Sequence, residues 1–184
     1  MRRIGITGGI GSGKSVVSRL LRIMGYSVYD TDSEAKRLVQ KLSECFGRDI
    51  YHNGRLNRGL LSSRVFGKSD KIVLLNSIVH PVVRFDFYRW SESLNEEICF
   101  VESAILYESR FDELVDEVWT VTAPEELRIG RVRERSGLTE EEIKKRMAAQ
   151  LSEEEKQRRA AHIIWNDGNV SVIHRVLSLL KSLE

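Results

Sequence analysis

The amino-terminal third of the chain alternates short apolar runs with amphipathic stretches. Arg3-Ile4-Gly5-Ile6-Thr7 has the length and composition of a strand, and Ser15 through Met24 those of a helix that stops at Gly25. A second strand, Ser27-Val28-Tyr29, ends at Asp30-Thr31-Asp32. Thr31-Asp32-Ser33-Glu34 has capping-box spacing and predicts a helix reaching about Phe46. From Gly47 to Asn95 the strand signal is weak and short helical pieces dominate, with His80-Pro81 as a turn that starts one of them. Ile98-Cys99-Phe100-Val101 is a continuous apolar run, the signature of a parallel strand covered on both faces, and it ends at Glu102. Glu117 to Thr122 predicts a further strand, and Pro124 suits the first turn of a helix ending near Ser136-Gly137. Thr139 and Ser152 each open a helix with capping-box spacing. His162-Ile163-Ile164-Trp165 is the last strand, and Asn166-Asp167-Gly168 its turn. The closing helix runs from about Val170 to Leu183, with Val172, Val176, Leu177 and Leu180 at helical spacing.

Strands alternating with helices predict an α/β fold: three layers, α/β/α, with a parallel central sheet and ligands at the carboxyl ends of its strands. A length of 184 residues fits one domain. Its expected parts are a core (1–46, 96–130 and 161–184), a helical substrate-binding insertion (47–95) and a helical lid (about 131–160).

The chemistry begins between the first strand and the first helix. Gly8-Gly9-Ile10-Gly11-Ser12-Gly13-Lys14-Ser15 fits the phosphate-loop pattern G-x-x-x-x-G-K-[ST] in its required strand–loop–helix setting, which makes the fold of the P-loop NTPase type. Glycines let backbone N–H groups turn inward around a phosphate, and the helix start adds unpaired N–H groups and partial positive charge. Lys14 reaches the β- and γ-phosphates, and the Ser15 hydroxyl binds Mg²⁺.

Composition narrows the partners. A net charge of +2, from 29 basic and 27 acidic residues, favours neither nucleic acid nor a membrane surface. Cys45 and Cys99, and His52, His80, His162 and His174, show no metal-ligand spacing. Cys99 lies in an apolar run and reads as a buried reduced thiol. A cytoplasmic protein, monomeric or weakly homo-oligomeric, is expected.

A phosphate loop alone leaves the second substrate open. Asp30 and Asp32 end the second strand, where one carboxylate could take the proton of an attacking hydroxyl; Asp32 is equally well read as a helix-first-turn acid favoured by the macrodipole. Arg131, Arg133, Arg135, Arg146, Arg158 and Arg159 lie on polar helices that read as a mobile flap. Arginine stabilises a phosphoryl group in flight, but such a face also supports pairs such as Glu141 with Lys145 and Glu142 with Arg146. Glu102 either helps to hold Mg²⁺ or is a polar strand end, and Arg84 answers either an anionic substrate or a surface ion pair.

The combined motifs resemble the dephospho-coenzyme A kinase family, over nearly the whole chain. The matching stretches are Gly5 to Ser15, Asp30-Thr31-Asp32, Leu56-Asn57-Arg58 with Leu61, Val65-Phe66, and His80-Pro81 with Val83. Further along come Ile105-Leu106-Tyr107-Glu108, Arg131 with Arg135, Arg146 with Ala149-Gln150, and Ala161 with Ile164 and Asn166. The chain departs at Val16, Glu102, Ala104 and His162, where the family favours Thr, Asp, Pro and Asp. The resemblance implies transfer of the γ-phosphate of ATP to the ribose 3′-hydroxyl of dephospho-CoA, the last step of coenzyme A synthesis. It implies ATP on residues 8 to 16, including Val16, with the base near Asn166. It makes Asp32 the general base, Arg135 or Arg146 the closing arginine, and His80 and Arg84 part of the acceptor side together with Asp30. The rivals are another small phosphate-loop kinase, a GTPase switch, which the missing Asn-Lys-x-Asp motif disfavours, and a nucleotide-binding protein with no chemistry, which Lys14, Ser15 and Asp32 disfavour.

Overall fold

The computed structural model describes residues 1–35, 37, 51–52, 55–56 and 69–183. Five strands form the main sheet: β1 (Arg2–Thr7), β2 (Val28–Asp30), β5 (Ile98–Glu102), β6 (Glu117–Thr122) and β7 (His162–Trp165), in the order β2-β5-β1-β6-β7. The pairs β1–β5, β1–β6 and β6–β7 run parallel, with Ile4 opposite both Phe100 and Glu117. β1 therefore lies at the sheet's centre, and the loop that follows it opens at the middle of the carboxyl edge.

Helix α1 (Lys14–Ile23) and the last helix, α6 (Val172–Lys181), cover one face. Their apolar stripes bury Val17, Leu21, Val176, Leu179 and Leu180 against Ile4, Ile6, Phe100, Trp119, Val121 and Ile164. Edge-on aromatic contacts tie Phe100 to Tyr26 and to Trp119, each with ring centroids 5.5 Å apart. The stripe of α6 is Val172, Val176, Leu179 and Leu180, with Leu183 continuing it just past the helix end; Leu177, expected on it, is exposed because it falls on the far side of the turn.

The chain divides into two compact units, Met1–Tyr29 with Asn95–Glu184, and Asp30–Leu94. The first also holds α3 (Glu125–Ser136), α4 (Glu140–Ala148), α5 (Glu153–Arg159) and a 3-10 turn at Phe111–Leu114. Cys99 is fully buried, and burial pushes its thiol up to about 11, so it stays protonated as expected.

Two features of the second unit differ from the sequence expectation. First, a two-stranded antiparallel pair, β3 (Tyr51–His52) with β4 (Arg55–Leu56), occupies a stretch where the strand signal was weak and short helical pieces were expected. The signal was present in Asn53-Gly54 between them, a strong two-residue hairpin sequence. Second, His80-Pro81 does not begin a helix but lies inside α2 (Ser69–Glu92). Proline in a helix interior costs about 3 kcal/mol. Val83 and Phe87 beyond it are buried, and burial of such side chains contributes about 1.5–3 kcal/mol each, enough to carry the helix through. The expected helix end at Phe46, and the matched residues Asn57, Arg58, Leu61, Val65 and Phe66, lie outside the described residues, as does Cys45.

Candidate active site

The phosphate loop joins Thr7 at the end of β1 to Lys14 at the start of α1. Gly13 caps that helix in a left-handed conformation (φ 101°) with no side-chain bond to the first turn, and the first turn carries no acid. The leading N–H groups and the positive end of the dipole are thus left for an anion. Any Cβ at Gly13 would strike the Asn166 side chain, so both backbone angle and space demand glycine. Lys14 folds back over the loop, its Nζ donating to the Gly8 carbonyl at 2.8 Å and the Gly9 carbonyl at 3.4 Å.

Three elements distant in sequence hold the loop from outside. Asn166 follows β7 and donates through Nδ2 to the Ser12 carbonyl at 2.9 Å. Arg131, on α3, donates to the Asn166 carbonyl at 2.9 Å and to the Gly11 and Ser12 carbonyls at 3.4 Å. Gln150, just before α5, accepts from the Ile10 N–H at 3.0 Å. Beneath Gly9 lies an almost fully buried ion pair, Arg128 Nη1 to Glu153 Oε1 at 3.5 Å, and Glu153 Oε2 also accepts from the Thr122 hydroxyl at 2.9 Å.

The structure thus brings Gly8, Gly9, Gly11, Ser12, Gly13, Lys14 and Asn166 together, and leaves Ser15 and Val16 exposed on the first turn of α1. It does not bring Arg135 or Arg146 there. Both are exposed, and among the described residues no hydrogen bond or ion pair joins either to the loop. The arginines against it are Arg131 and Arg128. Arg128, Gln150 and Glu153 carried no role in the sequence reading, although Arg128 and Arg131, three apart on a helix, share a face. Glu102 ends β5 opposite Ile6, half-buried.

The helices after α3 are less bare than their charge suggests. Ile143 is fully buried with Ile129 and Val132, and Ile10 of the phosphate loop packs on this cluster. The ion pair on α4 joins Glu140 to Lys144 at 2.6 Å, while Glu142, expected to pair with Arg146, completes the capping box with Thr139. Arg158 pairs with Glu155, and Arg159 lies over the Tyr107 ring and bonds Asp112 at 2.7 Å. Lys156 is fully buried, its ammonium donating to the Ala104 carbonyl at 3.4 Å; desolvation holds its pKa below the ordinary lysine value, opposed by Glu108 and Glu153.

Asp30, Asp32, His80 and Arg84 belong to the second unit. The cap expected at Thr31 falls one residue earlier. Asp30 Oδ1 accepts from the N–H groups of Asp32 (3.0 Å) and Ser33 (3.2 Å), and Oδ2 from the Ser33 hydroxyl (2.8 Å). Thr31 is already helical, and Asp32 is exposed on the first turn. Burial holds the half-buried His80 imidazole below its ordinary value of 6.5, and the Arg84 guanidinium lowers it further. The unfolded chain then binds the proton first, so His80 costs stability as pH falls below 6.5. Denaturant titrations of His80→Gln should show a shallower acid-side loss of stability than the parent; parallel curves would remove His80 as the cause.

The sequence profile of the dephospho-CoA kinase family matches residues 2–171. The chain belongs to the dephospho-CoA kinase family. It is 42% identical over 189 aligned residues to a dephospho-CoA kinase of Bacteroides fragilis, covering 98% of this chain and 92% of that one. A crystal structure from Thermus thermophilus superposes with a TM-score of 0.89 at 37% identity, covering 99% and 97% of the two chains. A dephospho-CoA kinase of Campylobacter jejuni shares the fold at a TM-score of 0.74 and 22% identity, covering 100% and 98%. Membership makes the chain an ATP-dependent phosphotransferase, and the match includes the phosphate loop, the arginine face of α3 and Asn166.

Proposed function

We propose that this chain transfers the γ-phosphate of ATP to the ribose 3′-hydroxyl of dephospho-CoA, giving CoA and ADP. The carrying observation is the uncapped amino end of α1 with Lys14 folded over it, in a chain matched to this kinase family across residues 2–171. The loop N–H groups and Lys14 hold the β- and γ-phosphates and stabilise the charge that gathers as the phosphoryl group moves. Asn166 and Arg131 flank the nucleotide on the side of β7. Asp32 is the general base: the 3′-oxygen attacks phosphorus, its proton passes to the Asp32 carboxylate, and the bond to the ADP oxygen breaks. Capping occupies the carboxylate of Asp30, which favours Asp32 over its neighbour. His80 and Arg84 serve the acceptor side, and Arg135 or Arg146 reaches the phosphates when the segment 131–160 closes as a lid.

The donor set near the loop suits Mg²⁺, a hard cation that takes oxygen ligands and is usually held by one or two protein groups plus substrate phosphates. The exposed Ser15 hydroxyl is one such ligand, and the Glu102 carboxylate is the second candidate. The ion supplies charge neutralisation on the phosphate oxygens.

Incubation with Mg-ATP and dephospho-CoA should yield CoA by mass spectrometry, while nucleoside monophosphates and small alcohols remain unphosphorylated. Phosphorylation of one of those instead would move the chain to another kinase activity. Closure should be visible by hydrogen exchange: amides of 137–160 gain protection when both substrates bind. Equal protection with and without ligands would exclude a moving lid.

A further inference from the structure

One peptide unit of the phosphate loop, Gly9–Ile10, is fastened at both ends. Its carbonyl accepts from the Ser12 N–H at 3.1 Å and from Lys14 Nζ at 3.4 Å. Its N–H donates away from this pair, to Gln150 Oε1 at 3.0 Å. The Gly9 end is hemmed in as well: a Cβ there would overlap the Glu153 carboxylate and lie 2.5 Å from Arg128 Nη1. Ile10 is pinned by its side chain on the cluster of Ile129, Val132 and Ile143. A rotation of this peptide would trade the carbonyl facing Lys14 for an N–H, and the ammonium would lose an anchor.

We propose that Gln150 is a positioning residue for phosphoryl transfer: by holding the Ile10 N–H it fixes the Gly9–Ile10 peptide with its carbonyl toward Lys14, and so places the lysine for the nucleotide phosphates. Glu153, three residues on, backs the same peptide through Arg128 and Thr122. The segment between α4 and α5 thereby sets the polarity of the loop as well as covering it. This rests on the ATP-binding role of the loop given above, but not on the identity of the acceptor.

Gln150→Met keeps length and removes the acceptor; Gln150→Glu keeps the acceptor. In Gln150→Met, kcat/KM for ATP should fall about tenfold, the scale of one lost backbone-orienting hydrogen bond. The Ile10 amide should exchange faster by NMR, while the KM for dephospho-CoA and the melting temperature stay at parent values. Gln150→Glu should restore protection of the Ile10 amide. A Gln150→Met protein with parental Ile10 exchange and parental kcat/KM for ATP overturns the proposal. So does a loss that tracks a lowered melting temperature and affects both substrates alike. Ile10 exchange is read without any acceptor, so a wrong acceptor assignment, which would abolish turnover in parent and variant alike, leaves that result interpretable.

Discussion

Replacing Lys14 with alanine should lower phosphoryl transfer by at least about a hundredfold, the scale seen when one preorganised charge-stabilising donor is removed. Lys14 opens α1 outside the buried core, and it donates to the Gly8 and Gly9 carbonyls. The folded sheet and its melting temperature should therefore survive. ATP affinity should fall together with kcat, because the same ammonium meets the phosphates in the ground state and in the transition state. The measurement is CoA formation at saturating and limiting ATP, with thermal melts alongside. Turnover near the parent value would remove the phosphate-loop assignment.

Asp32→Asn should leave ATP binding intact and reduce transfer by roughly a hundredfold or more, the usual scale for loss of a general base. The change nearly preserves shape, and Lys14, Ser15 and the loop amides are untouched. If Asp32 served only as a helix-first-turn charge, the substitution would cost under about 1 kcal/mol of stability and little activity. Asp30→Asn is the control. Its side chain caps the helix through the N–H groups of Asp32 and Ser33, a task asparagine also performs, so Asp30→Asn should stay active and fold normally. An inactive Asp30→Asn beside an active Asp32→Asn would transfer the base role to Asp30.

The sheet was legible in the sequence because its strands are short apolar runs, those of β5 and β6 buried on both faces. Glu117–Thr122 and His162–Trp165 fall where the pattern put them. The caps at Thr139 and Ser152 were legible because capping is local chemistry. What stayed hidden was tertiary. Arg128 meets Glu153 across 25 positions, and nothing in either neighbourhood marks the pair. Lys156 lies in Glu153-Glu154-Glu155-Lys156-Gln157-Arg158-Arg159, a stretch that reads as solvated, yet it is fully buried and its ammonium meets the Ala104 carbonyl. The passage of α2 through Pro81 was hidden for the same reason, since propensity argued for a break and the burial of Val83 and Phe87 decided otherwise.

The glycines of the phosphate loop are walled by the Val121 backbone, by Glu153 with Arg128, and by Asn166. Translation runs from the amino end, so the loop is made before every one of these walls. A nascent chain that ends before Asn166 has the whole phosphate-loop motif and lacks the bond from that side chain to the Ser12 carbonyl. A loop held on every side therefore has to wait for the residue after β7 to be made, whatever the motif already supplies. Until Asn166 is in place, the glycine-rich turn lacks one of the bonds that hold it from outside.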